Sequence, residues 1–587
     1  MTGAEVPSIA GGVPISSAAR GQGAASRRWT WIIGAGLHAM LRRRAAHLSD
    51  VRRRGAEAGA EQRSQLRGLL RTARNTEWGR RFGFARLADL PESELVAAYQ
   101  REVPTADYEA MRADLARMRE HAAPDVTWPG IVMDWAQTSG TTGGQKYIPV
   151  SRRMLASNRR AALDIFAHAM RFGIDLRDLF AGRCLFLGGS TDVAVNEHGI
   201  RTGDLSGLVT PLIRWPISAV YSPGREIALM SDWPAKIDAM ARLGLRQDVR
   251  MVSGMASWSL VLFQRMLELS GSSGPGARAL RDIWPRLTLF VHGGVSYAPF
   301  EPRVREAWSG AEGTDIPHRL EVYPASEGFI AVQDQPGDPG LRLHVDNGIF
   351  FEFVPLEEID SAGARACTVE QVEPGQRYVV VMSTCAGLWR YVIGDVVEFD
   401  TIPPAGPPRL RIVGRHRHFV NAFGENLIVE DIERAAVAAR DAAGIEIGEF
   451  TAGPVYPGDG RRAGLELVVE ASAPRESIER FARVFDQTLR SVNVDYDTKR
   501  TADLGMAPAI VRPVPPGTFH RWMERRGKLG GQHKCPRCAN HREFIEALTA
   551  PPETGAPAKD CTPECHEVSV MQRPEGVRPG NPSRAGR

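Results

Sequence analysis

Cysteine is scarce in this chain, with seven in 587 residues. So few thiols in so long a chain do not make a disulfide framework. Cys184, Cys367 and Cys385 stand in apolar, strand-like surroundings and are expected as reduced core residues, with a cytoplasmic home as the default. An excess of one charge is also missing. The net charge is +4, with 73 Lys and Arg against 69 Asp and Glu, so no nucleic-acid partner is implied. The basic runs Arg42–Arg44 and Arg52–Arg54 lie beside apolar residues at helical spacing and are expected on a solvated helix face. No membrane-length apolar run is expected either. Trp29–Leu41 follows Arg27 and Arg28 like an export signal. It contains His38, lacks a small-residue cleavage site and is too short to span a bilayer. It is expected as the first helix of the fold.

What is present is length. Hydrophobic cores stop growing near about 250–300 residues, so at least two domains are expected. Residues 1–27 read as a disordered leader rich in small residues. Apolar residues then recur at helical spacing to about residue 75, and Ser93–Gln100 and Ala110–His121 suggest further helices. Strands are expected at Ile283–Val291, Leu320–Tyr323, Gly348–Val354 and Tyr378–Ser383. Alternation of strands and helices argues for an α/β core. The Pro/Gly-rich run 403–408 breaks the pattern. The expected map is a large domain over 28–408, a smaller α+β domain over 409–548 and a disordered tail over 549–587.

The densest chemical signal is Thr138-Ser139-Gly140-Thr141-Thr142-Gly143-Gly144-Gln145-Lys146. Its glycines let backbone N–H groups converge on an anion, its hydroxyls add donors, and its lysine neutralises charge. A Walker-type phosphate loop needs Gly before the Lys and Ser or Thr after it. Gln145 and Tyr147 occupy those places, so that reading fails. Further on, Tyr323-Pro324-Ala325-Ser326-Glu327-Gly328 presents a ring, a hydroxyl and a carboxylate at a strand end. A ring can stack on a base, and a single carboxylate suits Mg²⁺ held mainly by phosphates and water. A third run, Gly387 to Val397, carries Asp395, whose carboxylate can accept from two ribose hydroxyls.

These segments, in this order, resemble the adenylate-forming superfamily. The continuation into Lys146, Pro149 and Ser151 resembles its GH3 family of acyl acid amido synthetases, with a bacterial member of that family expected. The resemblance runs from about Gln65 to Arg537 and includes Trp284-Pro285 and Phe351-Glu352-Phe353. It implies a large adenylation domain and a smaller, mobile C-terminal domain. By the match, Thr138, Ser139, Gly140, Thr141, Thr142, Gly143 and Lys146 hold phosphates, with Thr141 also catalytic. Gly293, Tyr323, Ala325, Ser326 and Glu327 line the nucleotide site, and Glu327 holds Mg²⁺. Asp395 and Arg415 contact the ribose, while Arg390 and Tyr391 shape the pocket. Trp389 stands where a Tyr is common.

The run Gly414 to Phe419, with Gly424-Glu425-Asn426 and Glu430, resembles the hinge, with Arg417 at the pivot. Gln532 to Cys538 resembles the C-terminal Lys-x-Pro-Arg element, with Lys534 as the catalytic lysine and Cys535 where a Thr is usual. Asn493, Tyr496 and Arg500 match an upstream Asn-x-x-Tyr-x-x-x-Arg pattern. Met255 and Trp258 fall where the family lines its acid pocket, though both also read as helix-core residues.

The implied reaction uses ATP and Mg²⁺. A carboxylic acid is activated as an acyl-adenylate, then joined to an amine, an amino acid by the resemblance. Transfer to coenzyme A is the alternative within the class. A non-catalytic nucleotide-binding protein, or a zinc protein built on Cys535, Cys538, Cys561 and Cys565, is the alternative outside it. A monomer is expected.

Overall fold

The computed structural model describes residues 24–139, 145–188, 193–213, 215, 217–230, 232–271, 278–294, 297–298, 300–361, 363–416, 419–420, 427–455, 464–493, 496–497, 500, 506–526, 535–539 and 541–550. The expected leader up to residue 23, the loop 140–144, the turn 421–426, Arg417, Lys534 and the tail beyond 550 lie outside them.

Two long helices, Ala24–Ser49 and Val51–Ala73, open the described chain. They break at Asp50, whose side chain caps the second helix by accepting from the Arg53 N–H. The expectation of a solvated basic face holds for only part of this region. Arg44 turns inward to Asp164 at 2.6 Å and Asp346 at 2.7 Å, and buried Arg54 reaches Asp346 at 3.4 Å. The carboxylates that recruit them lie more than a hundred residues away, where local spacing carries no sign of them. Among the described residues, no helix is long and apolar enough to cross a membrane.

An eleven-stranded sheet forms the body. Its spatial order is Ile349–Pro355, Arg377–Thr384, Tyr391–Thr401, Arg409–Arg415, Leu341–Leu343, Gly328–Gln333, His318–Ala325, Leu289–Gly293, Val249–Gly254, Arg183–Leu187, Tyr221–Ser222. Pairing is antiparallel as far as His318–Ala325 and parallel beyond it. The parallel half has an apolar cluster on each face, as parallel strands require. One cluster contains Phe263, Phe290 and Trp284, the other Phe180, Leu289 and Val291. The strand Arg409–Arg415, expected to open the small domain, pairs with Tyr391–Thr401 and Leu341–Leu343 inside this sheet.

A separate four-stranded sheet holds the hairpin Asp134–Ser139 and Gln145–Val150. The C-terminal part is built on a three-stranded sheet, Ile447–Val455, Gly464–Ala471 and Ile510–Val514. Helices Val429–Ala443 and Arg475–Val492 cover it around Phe481, Phe485 and Leu489. Cys184, Cys367 and Cys385 are free and buried, as the sequence suggests.

Candidate active site

The Gly-rich segment is a hairpin. Thr138 pairs with Lys146 and Ser139 with Gln145 in an antiparallel ladder. Lys146 lies with its ammonium 5.8 Å from the centre of the Tyr108 ring, and the Tyr108 hydroxyl accepts from the Tyr147 N–H at 3.0 Å. Arg119 covers the Tyr147 ring at 3.7 Å. The helix after the hairpin, Arg152–Arg171, starts at Ser151. The Ser151 hydroxyl caps the helix by accepting from the Met154 N–H at 3.0 Å. It donates to the Cys385 carbonyl at 2.5 Å. The phosphate-loop segment is thus tied to the turn that leads into the third motif.

Ser326 and Glu327 form the two-residue turn of a β-hairpin, since Ala325 pairs with Gly328. No helix follows, so the Ser-Glu pair is not a helix cap. Glu327 is buried at this turn. Gly328 brings the turn against its surroundings: a Cβ there would lie 2.6 Å from Ile349 Cδ1 and 3.6 Å from Met154 Cε. Gly293 has a packing role of its own. A Cβ at that position would meet the Val322 carbonyl oxygen at 2.1 Å, so only glycine allows the two parallel strands to pair here.

The second and third motifs meet through one contact. The Tyr323 hydroxyl donates to Asp395 Oδ2 at 2.5 Å, and both residues are buried. Three strands separate their own strands in the sheet order. In a flat sheet, four spacings of about 4.8 Å would hold them about 19 Å apart. The sheet therefore curls to bring them together. Asp395 also stands opposite Arg415 in the strand register. Gly394, at φ +91°, presents its carbonyl to the His416 N–H at 2.9 Å, which shapes the turn of chain beside Asp395.

Two expectations change. Arg390, expected to shape the pocket, points into the core. It donates to Glu352 at 3.0 Å and to the carbonyls of Gln100 at 2.8 Å and Val103 at 2.7 Å. Its φ of +43° is held by these bonds. Trp389 is likewise fully buried, donating to the Thr127 carbonyl at 3.0 Å. Tyr391 is buried in the same cluster. The Arg-Tyr part of the motif is scaffold, and Asp395 is the residue it delivers.

Met255 follows the strand Val249–Gly254 and accepts from the Ser259 N–H at 2.9 Å at the start of helix Ala256–Gly271. Trp258 is half-buried against the apolar cluster of that helix. Both sit at the carboxyl ends of the parallel strands, level with Gly293. In open α/β sheets that is where ligands bind. The Lys-x-Pro-Arg element runs beside the strand Ile447–Val455, with Ala452 bonded to Arg537 and Ala539 at 2.9 and 3.0 Å. The Arg537 guanidinium stacks 4.5 Å from Phe450 and lies 5.9 Å from Phe300. The side chains of Thr138, Ser139 and Arg415 lie outside the description, as do Gly140, Thr141, Thr142, Gly143 and Lys534.

The donor set can be weighed for metals. Among the described residues no three His, Cys, Asp or Glu side chains group around a common point. Glu327 alone fits a cation held mostly by phosphate oxygens and water, as Mg²⁺ is. Burial raises the thiol pKa of Cys535 to about 12 and pushes that of Cys538 up as well, so both are protonated thiols near neutral pH.

Sequence reasoning passed over His292 and Glu321. Both are polar residues inside apolar strands beside the motifs, and that misplaced polarity is the signal that could have marked them.

Among solved structures, an acyl acid amido synthetase, AtGH3.15 in complex with 2,4-DB, is similar with a TM-score of 0.69 at 18% identity, over 86% of this chain and 95% of that one. A 2-hydroxyisobutyryl-CoA ligase is similar at 0.53 and 16% identity, over 85% and 94% of the two chains. These likenesses show a shared fold. Family models for the GH3 N-terminal, central and C-terminal domains match residues 48–273, 342–415 and 430–543. The chain belongs to the GH3 family. Indole-3-acetic acid-amido synthetase GH3.8 of Oryza sativa subsp. indica is 27% identical over 302 residues, 48% of this chain and 49% of that protein. The match thus spans about half of that relative. GH3.3 of Arabidopsis thaliana, of the same description, is 22% identical over 83% of this chain and 90% of its own length.

Proposed function

We propose that this protein activates a carboxylic acid with MgATP as an acyl-adenylate and then joins the acyl group to the amine of an amino acid. The observation that carries this reading is the Tyr323–Asp395 hydrogen bond. It unites two motifs at the carboxyl edge of the sheet, beside the Glu327 turn. A carboxylate at this place can accept from both ribose hydroxyls. Glu327 would hold Mg²⁺, which would supply charge neutralisation for the phosphates, and Lys146 would add a further positive charge. Lys534, brought in by the small domain, stabilises charge while the acid carboxylate attacks the α-phosphorus and pyrophosphate leaves. The amine then attacks the acyl carbon and AMP departs. No protein nucleophile is needed, because alignment and charge stabilisation supply the rate. Family membership and the named relatives support amide rather than thioester formation.

ATP–pyrophosphate exchange, screened over carboxylic acids, tests the first step. Glu327→Ala and Asp395→Ala are expected to lower exchange by about 100-fold or more. Unchanged exchange in both variants would remove the site assignment. Product analysis with amino acids and with coenzyme A tests the second step, and a thioester as the sole product would replace this reading.

A further inference from the structure

Leu187, Gly254, His292 and Glu321 form a row across the ends of the parallel strands. Leu187 pairs with Gly254 and His292 with Glu321, and Ser253 opposite Val291 puts Gly254 opposite His292. Side chains alternate faces along a strand, so His292 shares the face of Phe290, and Gly254 that of Val252. Both of those residues belong to the cluster under helix Ala256–Gly271.

Besides Arg319 and Glu321 on the neighbouring strand, this face is apolar except at one place. His292 is 1% exposed, and neither ring nitrogen has a hydrogen-bond partner. Its ring stacks on Tyr297 at 4.5 Å and 24°, and the buried Tyr297 hydroxyl has no partner either. Ser259 is fully buried with its hydroxyl unpaired. A Cβ at Gly254 would lie 3.3 Å from Ser259 Oγ, so this hydroxyl hangs over the glycine opposite His292. A buried polar atom left unpaired costs about 1–3 kcal/mol, so three such residues on one face need a reason.

Their electrical state narrows the ligand. Burial pushes His292 down to about 3, so its imidazole is neutral and offers one donor and one acceptor. Arg319, which covers the Tyr297 ring at 4.0 Å, is paired with Asp315 at 2.7 Å. What Ser259, His292 and Tyr297 themselves offer is uncharged donors and acceptors. Just outside, Ser253, Gly254, Met255 and Trp258 are half-buried and Gly294 is exposed, so the edge is open there. Glu321 is two residues from Tyr323 on the same strand face, about 7 Å along the chain.

We propose that Ser259, His292 and Tyr297 form the far end of the acid-binding site and take a hydroxyl carried by the acyl substrate, so that the preferred acids are hydroxylated ones. The inference rests on the activating role proposed above. An acid with its hydroxyl at this cluster would pair the orphaned atoms. A site built to bond a hydroxyl rejects the analogue lacking it far more strongly than an apolar pocket senses a methylene.

The test uses matched pairs: 3-(4-hydroxyphenyl)propionate against 3-phenylpropionate, and 10-hydroxydecanoate against decanoate. Binding is measured by calorimetry and turnover by ATP–pyrophosphate exchange, for the wild type and for Ser259→Ala, His292→Phe and Tyr297→Phe. The expected result is a preference of about 100-fold or more for the hydroxylated member of at least one pair, reduced about tenfold or more in Tyr297→Phe and His292→Phe. Tyr297→Phe removes one oxygen and keeps the ring stack, so it reports even if His292→Phe misfolds. A preference seen in binding without any exchange keeps the subsite and removes the activating role. Exchange with no preference, or a preference untouched by Tyr297→Phe, overturns the subsite, as does binding of neither member of both pairs.

Discussion

The sheet edge and the small C-terminal sheet treat their family-like residues in opposite ways. At the edge, Tyr323 and Asp395 meet, with Glu327 in the turn after the Tyr323 strand. In the C-terminal part, the matching residues turn inward. The Tyr496 hydroxyl donates to Asp486 at 2.6 Å, and Arg500 grips the same carboxylate at 3.0 and 2.8 Å. Asn493 donates to the fully buried Asp431 at 3.0 Å. Three hydrogen bonds from Tyr496 and Arg500, with a fourth from the Ala509 N–H at 3.1 Å, leave Asp486 little capacity for a ligand. A motif can therefore mark a site in one region and the scaffold that carries a site in another.

Three experiments sharpen this contrast, the largest effect first. Asp486→Ala leaves a buried guanidinium without its partner, so it should destabilise by about 3–5 kcal/mol in denaturant unfolding. Exchange activity per folded molecule should change little. A large activity loss with intact stability would assign Asp486 to the site and dissolve the comparison. Tyr323→Phe keeps the ring but removes the hydrogen bond to Asp395. It should raise the KM for ATP about 5- to 10-fold, equivalent to about 1 kcal/mol, and lower stability by about 1–3 kcal/mol as a buried acceptor loses its donor. An unchanged KM with lowered stability would make that bond scaffold too.

The effect confined to one pH range concerns Glu321. Burial pushes its pKa from 4.5 up to about 7, with Arg319 opposing. The folded chain therefore keeps a proton that the unfolded chain releases near pH 4.5. This favours folding below that pH and is lost as pH rises to about 7, where the buried carboxylate must ionise. Glu321→Gln should flatten that part of the stability–pH curve, with a gain of up to about 2 kcal/mol at pH 8 and little change at pH 4. Parallel curves for variant and wild type would place Glu321 in contact with solvent.

Much of the fold could be read locally. The helices expected at Ser93–Gln100 and Ala110–His121 and the strands at Gly348–Val354 and Tyr378–Ser383 are present to within two residues, whereas the strand expected over Ile283–Val291 begins only at Leu289, with Ile283 ending a short helix. Period and turn chemistry are written in neighbouring residues, which is why those elements were visible. Arg44 and Arg390 were misread for the converse reason. Each is defined by carboxylates or carbonyls distant in the chain, and exposed and buried arginines look alike in a local pattern.

The sequence by itself determined the order of the motifs, the failure of the Walker pattern, the strand and helix types and the family. All of these depend on residue identity and spacing along the chain. Only the tertiary structure decided that Tyr323 touches Asp395 across three intervening strands, that Arg390 braces Glu352, and that unpaired polar atoms of Ser259, His292 and Tyr297 gather under one helix. The physical reason is that curl and register of a long sheet are set by packing over the whole molecule. Which side chains face one another across it follows from that packing and not from sequence distance.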